Sequence, residues 1–283
     1  MTLRDRSPTV AGAFYESTPS AIRERLDWCF LHKLGPGKLP ETSPSKGKSI
    51  LSIISPHAGY IYSGPIAAHG YYQLSREPVP NVVVILGPNH TGIGAGVSIW
   101  DGGDWSTPLG SVQVDGELAR ALCEMGVAES DSQAHLYEHS IEVQLPFLQY
   151  AYKKSFKILP ICMMIQDYET SSELGNALSK LLAERSSVLV ASTDFSHYEP
   201  YATAYAKDAR VSEPIEKLEA KHVEEIVMRD GISMCGPGPV MTVITASLGL
   251  GAKNCKKLCY ATSGDTSGTK TEVVGYGSFM ITR

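Results

Sequence analysis

The sequence predicts an α/β protein, with a largely parallel or mixed central sheet flanked by helices. Three observations lead there. Runs of apolar, mostly β-branched residues at 49–55, 81–86 and 187–192 show no polar alternation. That is the pattern of strands buried on both faces. Strand-like runs then alternate with segments of helical periodicity along almost the whole chain. Each of the three runs is also followed closely by a histidine, at His57, His90 and His197, and open α/β sheets bind ligands at the carboxyl ends of their strands.

In chain order, residues 19–33 place Ile22, Leu26, Cys29 and Phe30 at near-helical spacing, which predicts a helix. Residues 35–48 hold Pro, Gly, Ser and Lys and predict a surface loop. The strand at 49–55 is followed by a helix at 64–74 carrying His69, then by the strand at 81–86. Residues 91–110 are Gly-rich and contain Trp100 and Trp105, as in a long loop or short hairpin. Residues 92–96 lack the Lys-Ser/Thr ending of a phosphate loop. A short strand at 111–114 leads to Asp115, placed to cap a helix running to Met125. Residues 138–150 read as a helix with Ile141, Leu145 and Leu148 inward and Pro146 as a kink. A strand at 156–163, an amphipathic helix at 171–184 and the strand at 187–192 come next. A charged helical stretch at 202–229 breaks near Pro214, a helix spans 239–250, and strands at 257–262 and 273–281 complete the pattern.

With 283 residues the chain is long enough for one large α/β domain, and a single domain over 1–283 is expected. The net charge of −5 and the absence of any Lys/Arg run exclude a nucleic-acid surface. No apolar stretch approaches the roughly 20 residues of a membrane span. No apolar run follows Met1–Arg6, so a signal peptide is not expected and a cytoplasmic location is. The six cysteines include no C-x-x-C pair, which argues against a zinc ribbon or an iron–sulfur site.

The residues that could carry chemistry cluster at strand ends. His57 and His90 sit in matching Pro- and Gly-containing turns. Neutral imidazole is the commonest metal ligand; the plainer reading is a ring bonded to nearby backbone. Asp194 and His197 share the segment Thr193-Asp194-Phe195-Ser196-His197. Asp194 could ligate a metal or orient a ligand, His197 could act as acid or base, and either Asp194 or Ser196 could simply cap a helix. Cys235 precedes a helix within Cys235-Gly236-Pro237-Gly238-Pro239. A thiol at a helix N-terminus is expected to have a lowered pKa, as a soft metal ligand or nucleophile would; a buried structural Cys is the alternative. His139 and Glu142, at i and i+3, would share a helix face and support the ligands, or mark a surface helix start. Asp265 follows the strand at 257–262 and could face the site or serve as a turn residue.

Taken in order, Pro56-His57-Ala58-Gly59-Tyr60, Gly87-Pro88-Asn89-His90, Glu138-His139-Ser140-Ile141-Glu142, Thr193-Asp194-Phe195-Ser196-His197-Tyr198 and Cys235-Gly236 resemble the Memo family from Arg6 onward. The Asn89-His90-Thr91 form looks like the archaeal and bacterial branch, the AmmeMemoRadiSam system protein B type. The resemblance implies a fold similar to class III extradiol dioxygenases, which use non-haem Fe(II). It implies His57 and His90 as the two histidine ligands, Cys235 where those enzymes have a carboxylate, His197 as the acid/base histidine, and Asp194 beside the pocket. Partners implied are a small-molecule substrate, a radical-SAM protein and a third system component, with neither nucleic acid nor membrane.

The first expectation is therefore a non-haem iron-dependent, dioxygenase-like oxidoreductase acting on a small molecule, aromatic compounds included. One metal would be held by His57, His90 and Cys235, with His197 and Asp194 catalytic and His139, Glu142 and Asp265 supporting them. Fe(II) is favoured, and the cysteine makes copper or zinc competitive. Two other readings stay open: an adaptor that binds a peptide or partner in a disused metal pocket, and a zinc hydrolase.

Overall fold

The computed structural model describes residues 5–41, 47, 49–100 and 102–283. The part of the predicted surface loop at 42–46 and 48, residue 101 of the Gly-rich segment, and the first four residues lie outside the described ones. Helix α1 (Pro19–Leu31) begins at Thr18, whose hydroxyl accepts from the Ala21 N–H, and its buried face is the predicted Ile22, Leu26, Cys29 and Phe30. Strand β1 (Ile50–Ser55), α2 (Tyr60–Ser75) and β2 (Val82–Pro88) follow. The Gly-rich stretch holds two short strands, β3 (Val97–Ile99) and β4 (Trp105–Thr107). The β4 strand forms a tight hairpin with β5 (Gly110–Val114). Asp115 caps α3 (Gly116–Glu124) as expected, accepting from the Leu118 N–H. The short β6 (Glu129–Ser130) comes next.

The predicted helix at 138–150 is shorter than its periodicity suggested. Residues 138–143 form turns, and α4 spans Gln144–Tyr152. Pro146 is therefore in the first turn, where a backbone N–H has no helical acceptor, and it makes no kink. His139 and Glu142 consequently do not share a helix face. The remaining elements are β7 (Lys157–Met163), α5 (Tyr168–Leu182), β8 (Ser187–Ser192), α6 (Tyr201–Glu216), α7 (Ala220–Asp230), α8 (Pro237–Gly249), β9 (Asn254–Thr262), α9 (Ser263–Ser267) and β10 (Gly275–Thr282). Pro214 lies inside α6; the break comes just after it, at Leu218, in left-handed conformation.

One mixed sheet runs β4-β5-β7-β2-β8-β1-β10-β9, with β3 and β6 pairing beside β7. Its centre, from β5 to β1, is parallel, β10 adds antiparallel to β1, and β9 adds antiparallel to β10. The central strands are buried on both faces, which their uninterrupted apolar runs require. Val83 and Ile85 face a core with α1, α2 and α4. Val82, Val84 and Leu86 face the other core, with α3, α5, α7 and α8. Among the described residues no helix is long and apolar enough to cross a membrane.

For the site, the decisive feature is strand order. The three histidine-bearing strands are neighbours, with β8 between β2 and β1. Ser55 pairs with Ser192 and Leu86 with Ala191, so the three strands end at one level. The turns that follow them emerge at a single edge.

Candidate metal centre

His57 leaves β1 buried, at 2% exposure. Its backbone N–H donates to Asp194 Oδ1 at 2.9 Å, which ties the end of β1 to the end of β8. Its Nδ1 lies 2.8 Å from Ser192 Oγ. That hydroxyl donates its one hydrogen to the Ser140 carbonyl at 2.7 Å and accepts from Gln144 Nε2 at 2.7 Å. It can only accept from His57, so the ring carries its proton on Nδ1 and keeps Nε2 bare. Nε2 points at Cys235 Sγ, 3.3 Å away. Burial holds the ring neutral, and the neighbouring His139, His90 and His197 press in the same direction.

His90 is fixed in the same way by a different partner. Glu138 accepts from the His90 backbone N–H at 2.6 Å and from its Nδ1 at 2.9 Å, again leaving Nε2 free. Glu138 also accepts the N–H groups of His139 and Ser140. Burial alone would raise this carboxyl, but hydrogen bonds from His90 and from the Ser140 N–H help to hold it down to about 2. The His57 and His90 rings meet edge to face with centroids 5.2 Å apart. His139 stacks on His90 at 4.5 Å, and burial lowers it to about 4.

Cys235 closes the group just before α8. Its sulfur accepts from the Asp194 N–H at 3.2 Å. Gly236 is needed beside it: a Cβ there would stand 2.7 Å from the Ser192 carbonyl oxygen. The expected lowering of the Cys235 pKa is reversed in the metal-free protein. Burial and the Asp194 charge push the thiol up, and they outweigh the helix N-terminus. Gly87 serves a similar purpose at β2, since a Cβ would lie 2.3 Å from Ser140 Oγ.

His197 follows two residues after Phe195 and is half-buried. Its Nδ1 faces the Ser233 carbonyl at 2.8 Å, and its N–H donates to Ser233 Oγ at 2.8 Å. A carbonyl only accepts, so this ring too keeps Nε2 bare. Asp194 is buried, which raises its carboxyl despite the His57 N–H and the nearby His197. Glu142 and Asp265 bond other groups rather than the three donors themselves. Glu142 turns to the N-terminal segment, accepting from Arg6, Thr9, Val10 and Tyr15. Asp265 completes a capping box with Thr262 and accepts from the Tyr201 and Tyr205 hydroxyls. The residues that orient the candidate donors are Glu138, Ser192 and Gln144, while Ser233 orients His197. In the sequence, Glu138 stood in the Glu138-His139-Ser140-Ile141-Glu142 segment, which read as the start of a helix and gave it no such role.

His57, His90 and Cys235 each offer one donor atom, and all three atoms lie within 4.8 Å of one another. These residues could hold one metal ion. His90, Glu138 and His139 form a second such grouping, but Glu138 is engaged with His90 Nδ1 and three N–H groups.

A family model described as Memo-like protein matches residues 6–280. The chain belongs to the Memo family. It is 49% identical over 282 residues to a MEMO1 family protein of Methanopyrus kandleri, covering 99% of each chain. A MEMO1 family protein of Methanothermobacter thermautotrophicus is 46% identical over 274 residues, 96% of this chain and 98% of that one. One from Sulfurisphaera tokodaii is 48% identical over 279 residues, 96% of this chain and 97% of that one. The fold of this Memo protein is also similar to the crystal structure of an uncharacterized protein of Escherichia coli K12, with a TM-score of 0.54 at 15% identity, covering 82% of this chain and 99% of that one.

Proposed function

We propose that this Memo protein is a metal-dependent oxidoreductase that holds one Fe(II) ion through His57, His90 and Cys235 and acts on a small molecule at the carboxyl edge of the sheet. The observation that carries the reading is the donor set. Two bare Nε2 atoms, each fixed by a partner on its own Nδ1, converge with a half-buried sulfur. Pre-set tautomers of this kind are what metal-ligating histidines require. Ferrous iron in such a site supplies one-electron and oxygen chemistry when bound.

The chain's own residues have separate tasks. Glu138 and Ser192 hold the two imidazoles ready and raise their basicity. Cys235 gives up its proton when it ligates, so uptake of metal releases acid. His197, with Nε2 bare and the ring partly open to solvent, is placed to take a proton from substrate. Asp194 ties His57 to the Cys235 turn and keeps the two donors at one depth.

A second reading has its own support. The third donor is sulfur where a carboxylate completes the usual Fe(II) face, and thiolates favour softer ions, copper among them. The test is metal analysis after anaerobic purification, with oxygen uptake measured alongside. One iron per chain, lost in His57→Ala and His90→Ala, supports the first reading. Copper in its place supports the second. Zinc alone points to a hydrolase, and no metal under any loading condition to a binding protein; either result overturns the proposal.

A further inference from the structure

The turn at 138–144 serves both histidine ligands. At one end Glu138 accepts a hydrogen bond from His90 Nδ1. At the other, the Ser140 carbonyl and Gln144 Nε2 orient the Ser192 hydroxyl that receives the proton of His57. Residues 140–143 are turns ahead of α4, with the Val143 N–H on the His139 carbonyl at 3.0 Å, so the position of residues 138–142 depends on what they pack against.

What it packs against is the N-terminal segment. The Arg6 guanidinium donates to the Glu138 carbonyl at 2.6 Å, the His135 carbonyl at 2.7 Å and Glu142 Oε2 at 2.7 Å. Arg6 and Glu142 are exposed by 1% and 0% as side chains, and the guanidinium lies over the Trp105 ring at 4.1 Å. Glu142 in turn receives the N–H groups of Thr9 and Val10 and the hydroxyls of Thr9 and Tyr15. The same segment reaches the donors' other flank: the Phe14 ring meets His139 at a tilt of 46° with centroids 4.7 Å apart, and the Phe14 carbonyl accepts from the Tyr60 N–H at 2.8 Å.

A buried ion pair adds little stability over well-packed apolar residues, because both charges must be desolvated. What it does confer here is geometry. A planar fork reaching three fixed acceptors sets the turn in one position, which an ammonium cannot do.

We propose that Arg6 is a positioning residue for the metal centre: with Glu142 it clamps the 138–144 turn and so sets the tautomers of both His57 and His90. The inference rests on those two histidines being the ligands. Its first readout is independent of metal.

The experiment compares the parent chain with Arg6→Lys, Arg6→Met and Thr9→Val, and with Leu178→Ala, a core truncation on the opposite face of the sheet, as a control. The tautomers of His57 and His90 are read by ¹⁵N NMR in chelated protein. Affinity for Co²⁺ is read by optical titration. The Arg6 variants are expected to mix tautomers at both rings and to lose about tenfold in cobalt affinity, as loss of an outer partner does; Thr9→Val should show a smaller change of the same sign. Leu178→Ala should lower thermal stability and leave tautomers and cobalt affinity at parent values. Thr9 is exposed, so its variant decides the matter should the Arg6 variants not fold. Parent-like tautomers in Arg6→Lys and Thr9→Val overturn the clamp, as does an equal change in Leu178→Ala. A parent that binds no cobalt overturns the metal-centre reading instead, and the tautomer comparison still judges the clamp.

Discussion

Glu138 holds His90 twice, through the backbone nitrogen at 2.6 Å and through Nδ1 at 2.9 Å. One carboxylate thereby fixes both where the residue sits and which ring nitrogen is bare. Glu138→Gln retains one acceptor oxygen and puts a donor where Nδ1–H points. Metal affinity should fall about 10- to 100-fold, with little change in stoichiometry at saturation. Calorimetric titration of the chelated protein measures it, and an affinity within twofold of the parent would assign His90 a different partner.

Gly236 has no room for a side chain. A methyl group would stand 2.7 Å from the Ser192 carbonyl and 2.8 Å from Thr193 Cβ, in backbone that cannot retreat without moving β8. Gly236→Ala should cost about 1–3 kcal/mol, the usual range for overpacking. It should also weaken metal binding, because Cys235 shifts away from His57. Denaturant unfolding together with metal titration checks both, and a stable variant with parent affinity would contradict the packing described.

His135 is fully buried between Trp100 and Trp105. Burial lowers its pKa from 6.5 to about 4. The unfolded chain therefore takes up a proton near pH 6.5 that the folded protein resists until about pH 4. Stability is complete above 6.5 and erodes as pH falls toward 4; the gap corresponds to about 3 kcal/mol. His57 and His139 add slope of the same sign. The difference between the parent and His135→Phe isolates this one residue. Unfolding of metal-free protein from pH 7.5 to 4 should give converging stabilities, and parallel curves would refute the assignment.

Cys235 should be a slow nucleophile even without metal, because burial pushes its thiol up. Alkylation of chelated protein by iodoacetamide, followed at Cys235 by mass spectrometry, should rise about tenfold per pH unit from 7 to 9. Metal loading should suppress it throughout that range. A plateau by pH 7 would mean a preformed thiolate.

Tyr198 follows His197 in left-handed backbone, with φ of 57°, and its side chain is 73% exposed. Ser233 pins the residue before it and Val273 the residue after it. Strain of this kind costs about 1–2 kcal/mol for a residue with a Cβ. Tyr198→Gly should thus be more stable than Tyr198→Ala by about 1 kcal/mol, although both lose the same ring. Thermal unfolding of the pair checks it, and the reverse order would place the backbone elsewhere.

The strands that carry the ligands were legible because burial on both faces leaves no polar residue to interrupt them. The runs at 49–55, 81–86 and 187–192 match β1, β2 and β8 within two residues. Asp115 was legible as a cap, since that signal lies within three residues. The turn at 138–143 was not. Ile141, Leu145 and Leu148 keep helical spacing, while the Glu138 carboxylate gathers the N–H groups of His90, His139 and Ser140 and the chain turns before α4 begins. Partners that fix the ligands lie far off in sequence: Glu138 is 48 residues from His90, and Ser192 is 135 from His57. No local pattern encodes such pairings. The partner of Glu142 is equally remote, its counter-charge Arg6 standing 136 residues away.

The order of the strands in space has a consequence for when the site comes into being. Strand β8 lies between β1 and β2, yet it is synthesised after both and after β7. Until residues 187–192 have emerged and inserted, β1 and β2 have no shared edge, and the His57 and His90 turns hang from unjoined pieces. Cys235 arrives later still. A nascent chain therefore has no place to capture an ion, and closure of the sheet's middle must wait for its most distant pairings, the slow step in topologies of this kind. Any ion held by these three donors is therefore captured only once the chain up to Cys235 has emerged and β8 has paired with both of its neighbours.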